Sequence, residues 1–185
     1  MGADETFWVF GYGSLMWQPG FAYEYVRPAL LRGYHRAFCV YSHHYRGTPE
    51  TPGLVLGLDR GGSCRGLAFG VPGPQADAVR AYLDERELVS YAYHARTLTV
   101  HTGKGPVRAY TFVASREHPQ YAGDLGLERS AELIMRAKGC AGLNRDYLIN
   151  TIRQLEKHGF ADRKLHVLLE RVSVLTGIIE AGGGI

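Results

Sequence analysis

Two short segments of this 185-residue sequence carry groups that could do chemistry, one by binding a carbonyl or carboxylate and one by acid–base catalysis. The first is residues 11–16, Gly-Tyr-Gly-Ser-Leu-Met, which follow a bulky and uncharged stretch at residues 7–10. Glycine permits φ > 0 and lets another molecule approach the backbone closely, so this turn can offer N–H groups to a carbonyl or a carboxylate. The same pattern is also typical of a β-bulge or a hairpin corner, and the spacing alone leaves both interpretations open.

The second segment ends in Glu87, which follows Arg86 and precedes the apolar residues 88–89. One interpretation of Glu87 is an ordinary surface glutamate at a helix end. The other is a general base whose pKa is raised by partial burial, a common arrangement for acid–base carboxylates. We interpret the neighbouring Asp84 and Glu85, together with Arg86, as a solvated helix face.

The elements that must position these segments begin with strands. Apolar runs separated by glycine-rich turns predict strands in the first two thirds of the chain. The strand at residues 29–41 is predicted to be long and bent, with Gly33 at the bend. A hairpin turn is predicted at residues 59–63, between the runs 54–58 and 66–71. The predicted strands are residues 7–10, 29–41, 54–58, 66–71, 95–102 and 107–113.

Four helices are predicted from 3.6-residue periodicity. The first covers residues 75 to about 89, with Ala78, Val79, Tyr82 and Leu83 on one face and Arg86 at its margin. The other three are residues 130–138 ended by Gly139, a helix from Asn144 to near Gly159 capped by Asn144, and a helix capped by Asp162. Strands followed by helices predict an α+β fold, with a curved, mostly antiparallel sheet partly covered by helices.

Composition restricts the function classes. Hydrophobic residues make up 45% of the chain and charged residues 21%, and the net charge of +3 is scattered. A nucleic-acid surface or a membrane-binding patch needs clustered basic residues, so neither partner is expected. We expect a disordered leader at residues 1–6, a single domain over residues 7–176 and a flexible tail at residues 177–185.

The cysteines and histidines predict neither a disulfide framework nor a metal site. Cys39, Cys64 and Cys140 are far apart in the sequence and form no CxxC pair, and Cys39 lies in an apolar run typical of the core. Adjacent His43 and His44 on an extended segment point in opposite directions, and a surface loop is the better interpretation. With no signal peptide or membrane-spanning stretch predicted, we expect a cytoplasmic protein.

Several of these segments occur together in an order that resembles the ChaC-type γ-glutamylcyclotransferases, a family also called cation transport regulator-like proteins. The resemblance covers the chain from Trp8 to about Leu155. The residues that carry it are 8–17, Arg46-Gly47 with Pro52-Gly53, Tyr82-Leu83-Asp84 with Arg86-Glu87, Pro119 with Tyr121 and Gly123, and Asn144 with Tyr147-Leu148.

The resemblance implies a small mixed, mostly antiparallel β-barrel with peripheral helices. It implies cleavage of glutathione into 5-oxoproline and cysteinylglycine, with Glu87 as the catalytic acid and base and no cofactor or metal. The implied binding residues are Gly11, Tyr12, Gly13, Ser14, Leu15 and Met16, and Tyr147 is similar to a family tyrosine near the substrate. A tyrosine in that position is also typical of packing between a helix and a sheet.

One departure from the family pattern concerns the pocket. Tyr91 occupies the place of a family glycine shortly before the tyrosine that matches Tyr93, and a bulky side chain there could narrow the pocket or shift Glu87.

Two alternatives stay open. The first is a γ-glutamylamine or broader γ-glutamyl-amino-acid cyclotransferase, and the second is a non-catalytic regulator of a cation antiporter. The expected partner is a small γ-glutamyl peptide, and the expected state is a monomer or a weak homodimer.

Overall fold

The computed structural model describes residues 5–88, 90 and 92–177. Seven strands and four α-helices occur in this part of the chain, with short 3-10 turns at Ser14–Met16 and Gly73–Gln75. The elements are β1 (Phe7–Gly11), β2 (Tyr25–Ser42), β3 (Gly53–Val71), α1 (Ala76–Glu87), β4 (Tyr93–Thr102), β5 (Gly105–Ala114), α2 (Gly126–Arg136), β6 (Lys138–Gly139), β7 (Gly142–Leu143), α3 (Asn144–Lys157) and α4 (Arg163–Thr176).

Five strands close into a barrel in the order β1-β3-β2-β4-β5. Strand β1 pairs antiparallel with β3, with Trp8 opposite Gly70, and parallel with β5, with Trp8 opposite Ala109. The parallel pair makes the barrel mixed, while β2 with β4 and β4 with β5 are antiparallel. The predicted fold class is therefore confirmed as a mixed five-stranded β-barrel accompanied by four helices.

The core of the barrel is built from aromatic and branched side chains. All five residues of β1 are buried, and Val9 and Phe10 have no measurable exposure. Phe69 on β3 and Phe112 on β5 are 1% exposed. Burial of each such side chain contributes about 1.5–3 kcal/mol to the stability of the fold. This explains why the strand between β3 and β5 carries no charged residue.

The described residues divide into two compact units. The first contains the residues up to Ala37 together with Leu56–Tyr121, and the second contains Phe38–Val55 together with the residues from Ala122 onward. The expectation of one domain over residues 7–176 stays a prediction. Residues 1–4 of the expected leader and residues 178–185 of the expected tail lie outside the described residues, as does Tyr91.

The hairpin predicted at residues 54–58 and 66–71 is wrong, because one continuous strand, β3, covers both runs. Gly61 and Gly62 have φ angles of 99° and 68°, a conformation that glycine adopts without steric cost. The Nδ1 atom of His35 on β2 lies 3.0 Å from the carbonyl oxygen of Gly61. The glycines therefore produce a local distortion within a paired strand rather than a reversal of the chain.

Three strand predictions, those for β2, β4 and β5, are confirmed with longer bounds. Strand β2 begins at Tyr25 and passes through Gly33, whose φ is 83°. Strands β4 and β5 pair along their whole length from Thr102 opposite Gly105 to Tyr93 opposite Ala114, so the turn between them is shorter than predicted.

The four predicted helices are present, but the bounds of α2 and the buried face of α1 differ from the prediction. In α1 the buried residues are Ala76, Val79 and Leu83, whereas Ala78 and Tyr82 are exposed. Helix α2 begins earlier than predicted and ends at Arg136. Asp162 does cap α4, where its carboxylate accepts from the amide of Leu165.

Gly139 does not end a helix as predicted. It belongs to β6 and pairs with Gly142 of β7. A Cβ atom at Gly139 would clash with the carbonyl oxygens of His44 and Tyr45, so close backbone packing in the second unit explains this glycine.

Asn144 is not the helix cap that its type and position predicted. Its side chain is fully buried, its Oδ1 accepts from the amide of Leu54 at 2.7 Å, and its Nδ2 donates to the carbonyl of Leu54 at 2.7 Å. The amide group therefore completes the backbone hydrogen bonding of β3 near its first residue. A polar side chain that satisfies a strand in this way cannot be distinguished from a cap by sequence.

Of the helices in the described residues, none combines the length and the apolar character needed to cross a bilayer.

Candidate active site

The glycine-bracketed turn directly follows β1 in the first unit. Gly11 and Gly13 are both buried, and neither has a positive φ; the φ of Gly13 is −140°. A Cβ atom on Gly11 would lie 3.1 Å from Cβ of Leu15 and 3.3 Å from Phe69, and one on Gly13 would lie 3.3 Å from Cδ1 of Leu56. Close packing, rather than a left-handed conformation, is therefore the reason for glycine at these two positions.

The turn exposes backbone donors at its start. The amide of Met16 donates to the carbonyl of Gly13 at 2.8 Å, and that of Gln18 donates to the carbonyl of Ser14 at 2.8 Å. The amides of Ser14 and Leu15 have no acceptor within the described residues, as expected for the first N–H groups of a helical turn. These two amides can bind a carbonyl or carboxylate oxygen.

A buried arginine that the sequence analysis missed holds this turn in place. Nε of Arg36 on β2 donates to the carbonyl of Tyr12 at 2.6 Å, and its Nη2 donates to the carbonyl of Arg65 at 2.7 Å. Arg36 is 7% exposed. The available signal was a single charged residue within the apolar part of the long predicted strand, because charged side chains are buried mainly where they have partners.

Helix α1 is fixed against the barrel by residues on its inner face. Leu83 is fully buried, and the carboxylate of Asp84 accepts a short hydrogen bond from the hydroxyl of Tyr110 on β5. Burial and the Asp84 carboxylate raise the pKa of Tyr110 well above its usual range, so the phenol stays a donor. The interpretation of Asp84 as a solvated carboxylate is wrong, and this contact sets the position of the last turn of α1.

Glu87 is the last residue of α1 and is largely removed from solvent. Its Oε1 lies 3.0 Å from Nε of Arg86, and its side chain retains 22% exposure, whereas Glu85 is exposed. Burial raises the pKa of the Glu87 carboxyl, and the guanidinium of Arg86 acts in the opposite direction without cancelling it. An ordinary solvated glutamate does not describe this environment.

Arg86 connects the end of α1 with the turn, so its interpretation as part of a solvated face is also wrong. Its Nη2 donates to Oγ of Ser14 at 3.1 Å, while Nη1 donates to the carbonyls of Gln18 at 2.6 Å and Pro19 at 3.3 Å. One guanidinium thus contacts both the Ser14 hydroxyl and the Glu87 carboxylate. Sequence reasoning assigned no role to Arg86 because the residue it contacts is 72 positions away.

The first unit therefore brings together most of the residues predicted for the site. Side chains of Leu15 and Met16 are buried in the core, so these residues offer the backbone of the turn rather than their side chains. The arrangement combines free N–H donors, one hydroxyl and one half-buried carboxylate. Such a set can bind an anionic or carbonyl group beside a proton acceptor.

Tyr147 lies in the second unit, on α3. Its ring packs edge-on against Phe38 with centroids 5.6 Å apart, and the guanidinium of Arg46 lies 5.3 Å from the Tyr147 ring centre. Nη1 of Arg46 also donates to the carbonyl of Ala141 at 2.5 Å. These contacts are typical of packing between a helix and a sheet, and a role for Tyr147 near a substrate stays a prediction.

The side chains of His43 and His44, in the second unit, pack against neighbouring tyrosine rings. His43 stacks on Tyr41 with ring centroids 6.1 Å apart, and His44 packs edge-on against Tyr45 at 5.0 Å. No group of three or more histidine, cysteine or carboxylate side chains that could hold a metal ion occurs among the described residues.

Comparison with known proteins relates this geometry to one family. The family model described as ChaC-like protein matches residues 7–175. A glutathione-specific γ-glutamylcyclotransferase of Schizosaccharomyces pombe is 34% identical over 184 residues, covering 89% of this chain and 90% of its own. The Escherichia coli enzyme of the same name is 35% identical over 169 residues, covering 91% and 73% of the two chains.

The solved structures show the same fold. The crystal structure of a yeast γ-glutamylcyclotransferase specific to glutathione superposes with a TM-score of 0.82 at 23% identity, covering 92% of this chain and 97% of that one.

Proposed function

The chain belongs to the ChaC-like family of γ-glutamylcyclotransferase enzymes, and we propose that its substrate is glutathione, which it cleaves to 5-oxoproline and cysteinylglycine. The observation that carries this proposal is the arrangement in the first unit, where the half-buried carboxylate of Glu87 and the hydroxyl of Ser14 share one guanidinium. The relatives named for glutathione support the choice of substrate.

The reaction needs a base but no protein nucleophile. The α-amino group of the γ-glutamyl residue attacks its own γ-carbonyl carbon, a C–N bond forms to close a five-membered ring, and the C–N bond to cysteinylglycine breaks. Because both reacting groups are in one molecule, holding them in the attacking conformation can supply part of the about 7–11 kcal/mol available from proximity.

Glu87 is proposed to move the protons. The α-amino group is an ammonium at neutral pH and must lose a proton before it can attack. The Glu87 carboxylate accepts that proton and returns one to the departing amine of cysteinylglycine, so that the carboxylate is regenerated. Its raised pKa brings the carboxyl closer to the pKa of the groups with which it exchanges protons, which favours both transfers.

The turn is proposed to bind the γ-glutamyl group. The free amides of Ser14 and Leu15 can bind an α-carboxylate or the oxyanion that develops on the γ-carbonyl, and the hydroxyl of Ser14 can add a further donor. Gly11, Tyr12, Gly13 and Met16 shape the same backbone. Tyr147 is proposed as a substrate contact on the family resemblance alone.

A coupled assay for 5-oxoproline release from glutathione tests the proposal. We expect the wild-type chain to be active and Glu87→Gln, which keeps the shape but cannot accept a proton, to lose about 100-fold or more in kcat. Glu85→Gln is the matched control, since Glu85 is exposed on the same turn of helix, and should retain full activity. Near-normal turnover by a folded Glu87→Gln protein would refute the role of Glu87.

The same assay with other leaving groups tests the substrate. We expect kcat/KM to be highest for glutathione and lower for γ-glutamyl-alanine and γ-glutamyl-lysine. Equal or higher values for either compound would favour a broader γ-glutamyl-amino-acid or γ-glutamylamine cyclotransferase. No release of 5-oxoproline from any of them would favour a non-catalytic role.

A further inference from the structure

We propose that Arg86 is a positioning residue that holds the carboxylate of Glu87 and the hydroxyl of Ser14 in one hydrogen-bonded group, and so fixes the base against the substrate-binding turn. This inference rests on the proposed function, because it gives Arg86 a part in the same site.

The donors of Arg86 are nearly all taken by protein acceptors. A guanidinium has five N–H groups in a rigid fork. Nε directs its one N–H at Glu87 at 3.0 Å, Nη1 contacts the carbonyls of Gln18 at 2.6 Å and Pro19 at 3.3 Å, and Nη2 directs one N–H at Ser14 at 3.1 Å. Little of the fork is left to bind a substrate carboxylate, so Arg86 acts through its neighbours.

The hydrogen bond to Ser14 determines what the serine can do. Oγ of Ser14 accepts from Arg86, and a hydroxyl that accepts one bond keeps its own O–H to donate. No acceptor for that O–H occurs among the described residues. The Ser14 hydroxyl is therefore oriented as a donor, which suits a carboxylate or an amide carbonyl of a γ-glutamyl substrate.

The carbonyls of Gln18 and Pro19, directly after the turn, determine where the Glu87 carboxylate lies. Adjacent side chains of a helix do not normally face each other, yet Arg86 and Glu87 form an ion pair at the end of α1. The carbonyls of Gln18 and Pro19 hold the guanidinium, and the guanidinium in turn holds the carboxylate. The orientation of the proposed base is thus set by the backbone that directly follows the substrate-binding turn.

Arg86 also has an electrostatic effect on the base. In the described part of the chain, Arg86 is the one charged group that acts on the Glu87 carboxyl, and it lowers the pKa of that group against the larger effect of burial. No ion pair to Glu87 from another element occurs among these residues. Removal of the guanidinium should therefore raise the pKa of Glu87 further. The carboxyl would then become protonated, and lose its function as a base, at a higher pH than in the wild-type protein.

Two substitutions separate the charge of Arg86 from its shape. Arg86→Met removes both, and we expect a higher KM for glutathione, a kcat reduced by about tenfold or more, and an acid limb of kcat/KM shifted to higher pH. Arg86→Lys keeps the charge but lacks the fork, so it should show a smaller pH shift while KM remains high. Arg108→Met, at an exposed arginine of β5, is the control and should change neither quantity.

A double-mutant cycle tests the link to the turn. Because Arg86 is proposed to act on KM through Ser14, the effects of Arg86→Met and Ser14→Ala on KM should be less than additive. Additive effects would overturn the link. A folded Arg86→Met protein with wild-type KM and a wild-type pH profile would also overturn the proposal. If Arg86→Met does not fold, wild-type kinetics in Arg86→Lys would overturn it.

A measurement independent of turnover keeps this inference separate from the proposed function. Carbon-13 NMR of glutamate-labelled protein, with Glu87→Gln to assign the signal, gives the titration of the Glu87 carboxyl directly. We expect its pKa to rise in Arg86→Met, and an unchanged titration would overturn the inference. A wild-type protein that does not act on glutathione would refute the proposed function, and this titration would still decide the role of Arg86.

Discussion

Nε of Arg36 donates a 2.6 Å hydrogen bond to the carbonyl oxygen of Tyr12, at the centre of the glycine-bracketed turn. The two residues are 24 positions apart, on β2 and directly after β1. The buried guanidinium of Arg36 therefore holds the backbone at Tyr12, next to the amides of Ser14 and Leu15 that can bind a ligand. Removal of the donor should disturb the turn as well as the core.

Substitution of Arg36 by methionine tests this relationship. The change removes the guanidinium donor from the carbonyls of Tyr12 and Arg65, and a hydrogen bond from a charged group is worth about 1.5–3 kcal/mol. We expect a lower free energy of unfolding in urea denaturation and a higher KM for glutathione. Arg32→Met, at an exposed arginine of the same strand, is the control, and equal stability of the two variants would contradict the proposed support.

Ser14→Ala should act mainly on substrate binding. Loss of one hydrogen bond costs about 1 kcal/mol, which corresponds to an increase of about fivefold in KM. Steady-state kinetics with glutathione provide the measurement, and kcat should change little. An unchanged KM together with a large loss of kcat would instead make Ser14 a participant in the chemical step.

Glu87→Gln should make the protein more stable at neutral pH. Burial raises the pKa of Glu87 in the folded state, so the folded protein favours the protonated carboxyl. The stabilisation from this group is fully present below the unfolded-state pKa and is lost as the pH rises through the folded-state pKa. The ionised carboxylate is therefore destabilising at neutral pH, even with Arg86 beside it.

Urea unfolding of wild-type and Glu87→Gln proteins at two pH values provides the measurement. The variant should be more stable at pH 7, and its advantage should shrink at a pH below the usual glutamate range. A stability difference that is the same at both pH values would show that burial does not act on the charge of Glu87. A lower stability of the variant at pH 7 would show that its ion pair with Arg86 outweighs burial.

Asn144→Ala should destabilise the second unit. The substitution removes the partner of both the amide and the carbonyl of Leu54, and each unpaired group costs about 1–3 kcal/mol. Asn144→Asp should also destabilise, because a carboxylate can accept from the Leu54 amide but would repel its carbonyl. Thermal unfolding gives the measurement, with exposed Asn150→Ala as the control, and a neutral Asn144→Ala would contradict the bonding seen.

The sequence could predict the parts of the site that depend on residue type. A glycine-bracketed turn after an apolar strand and a carboxylate beside apolar residues are compatible with binding groups and a base. The family resemblance, rather than residue type alone, favoured that interpretation over a hairpin corner and a surface glutamate. Arg36 and Arg86 could not be found in this way, because a charged residue is exposed unless a specific partner exists. Their partners are backbone carbonyls and a hydroxyl brought near by the fold, and such contacts leave no local pattern.

The fold shows the same limit. Apolar runs predicted strand structure within each of the five barrel strands, but they did not predict the two short strands β6 and β7. The glycine pair at residues 61–62 predicted a turn where the structure has a distorted strand. Asn144 had the type and the place of a cap, yet its side chain bonds to a strand instead. In both cases the residue type allows the predicted local structure, but contacts with residues distant in the sequence determine the structure that forms.

The parallel pairing of β1 with β5 has a consequence for how the enzyme acquires activity as it folds. The hydroxyl of Thr111 donates to the carbonyl of Phe10 across a separation of 101 residues, and closing so long a loop is entropically costly and slow. The turn leaves β1, and Tyr110 on β5 holds the helix that ends in Glu87. A chain in which β1 and β5 have not yet paired has therefore not brought the proposed base to the proposed binding turn, and catalysis should return only after this pairing forms.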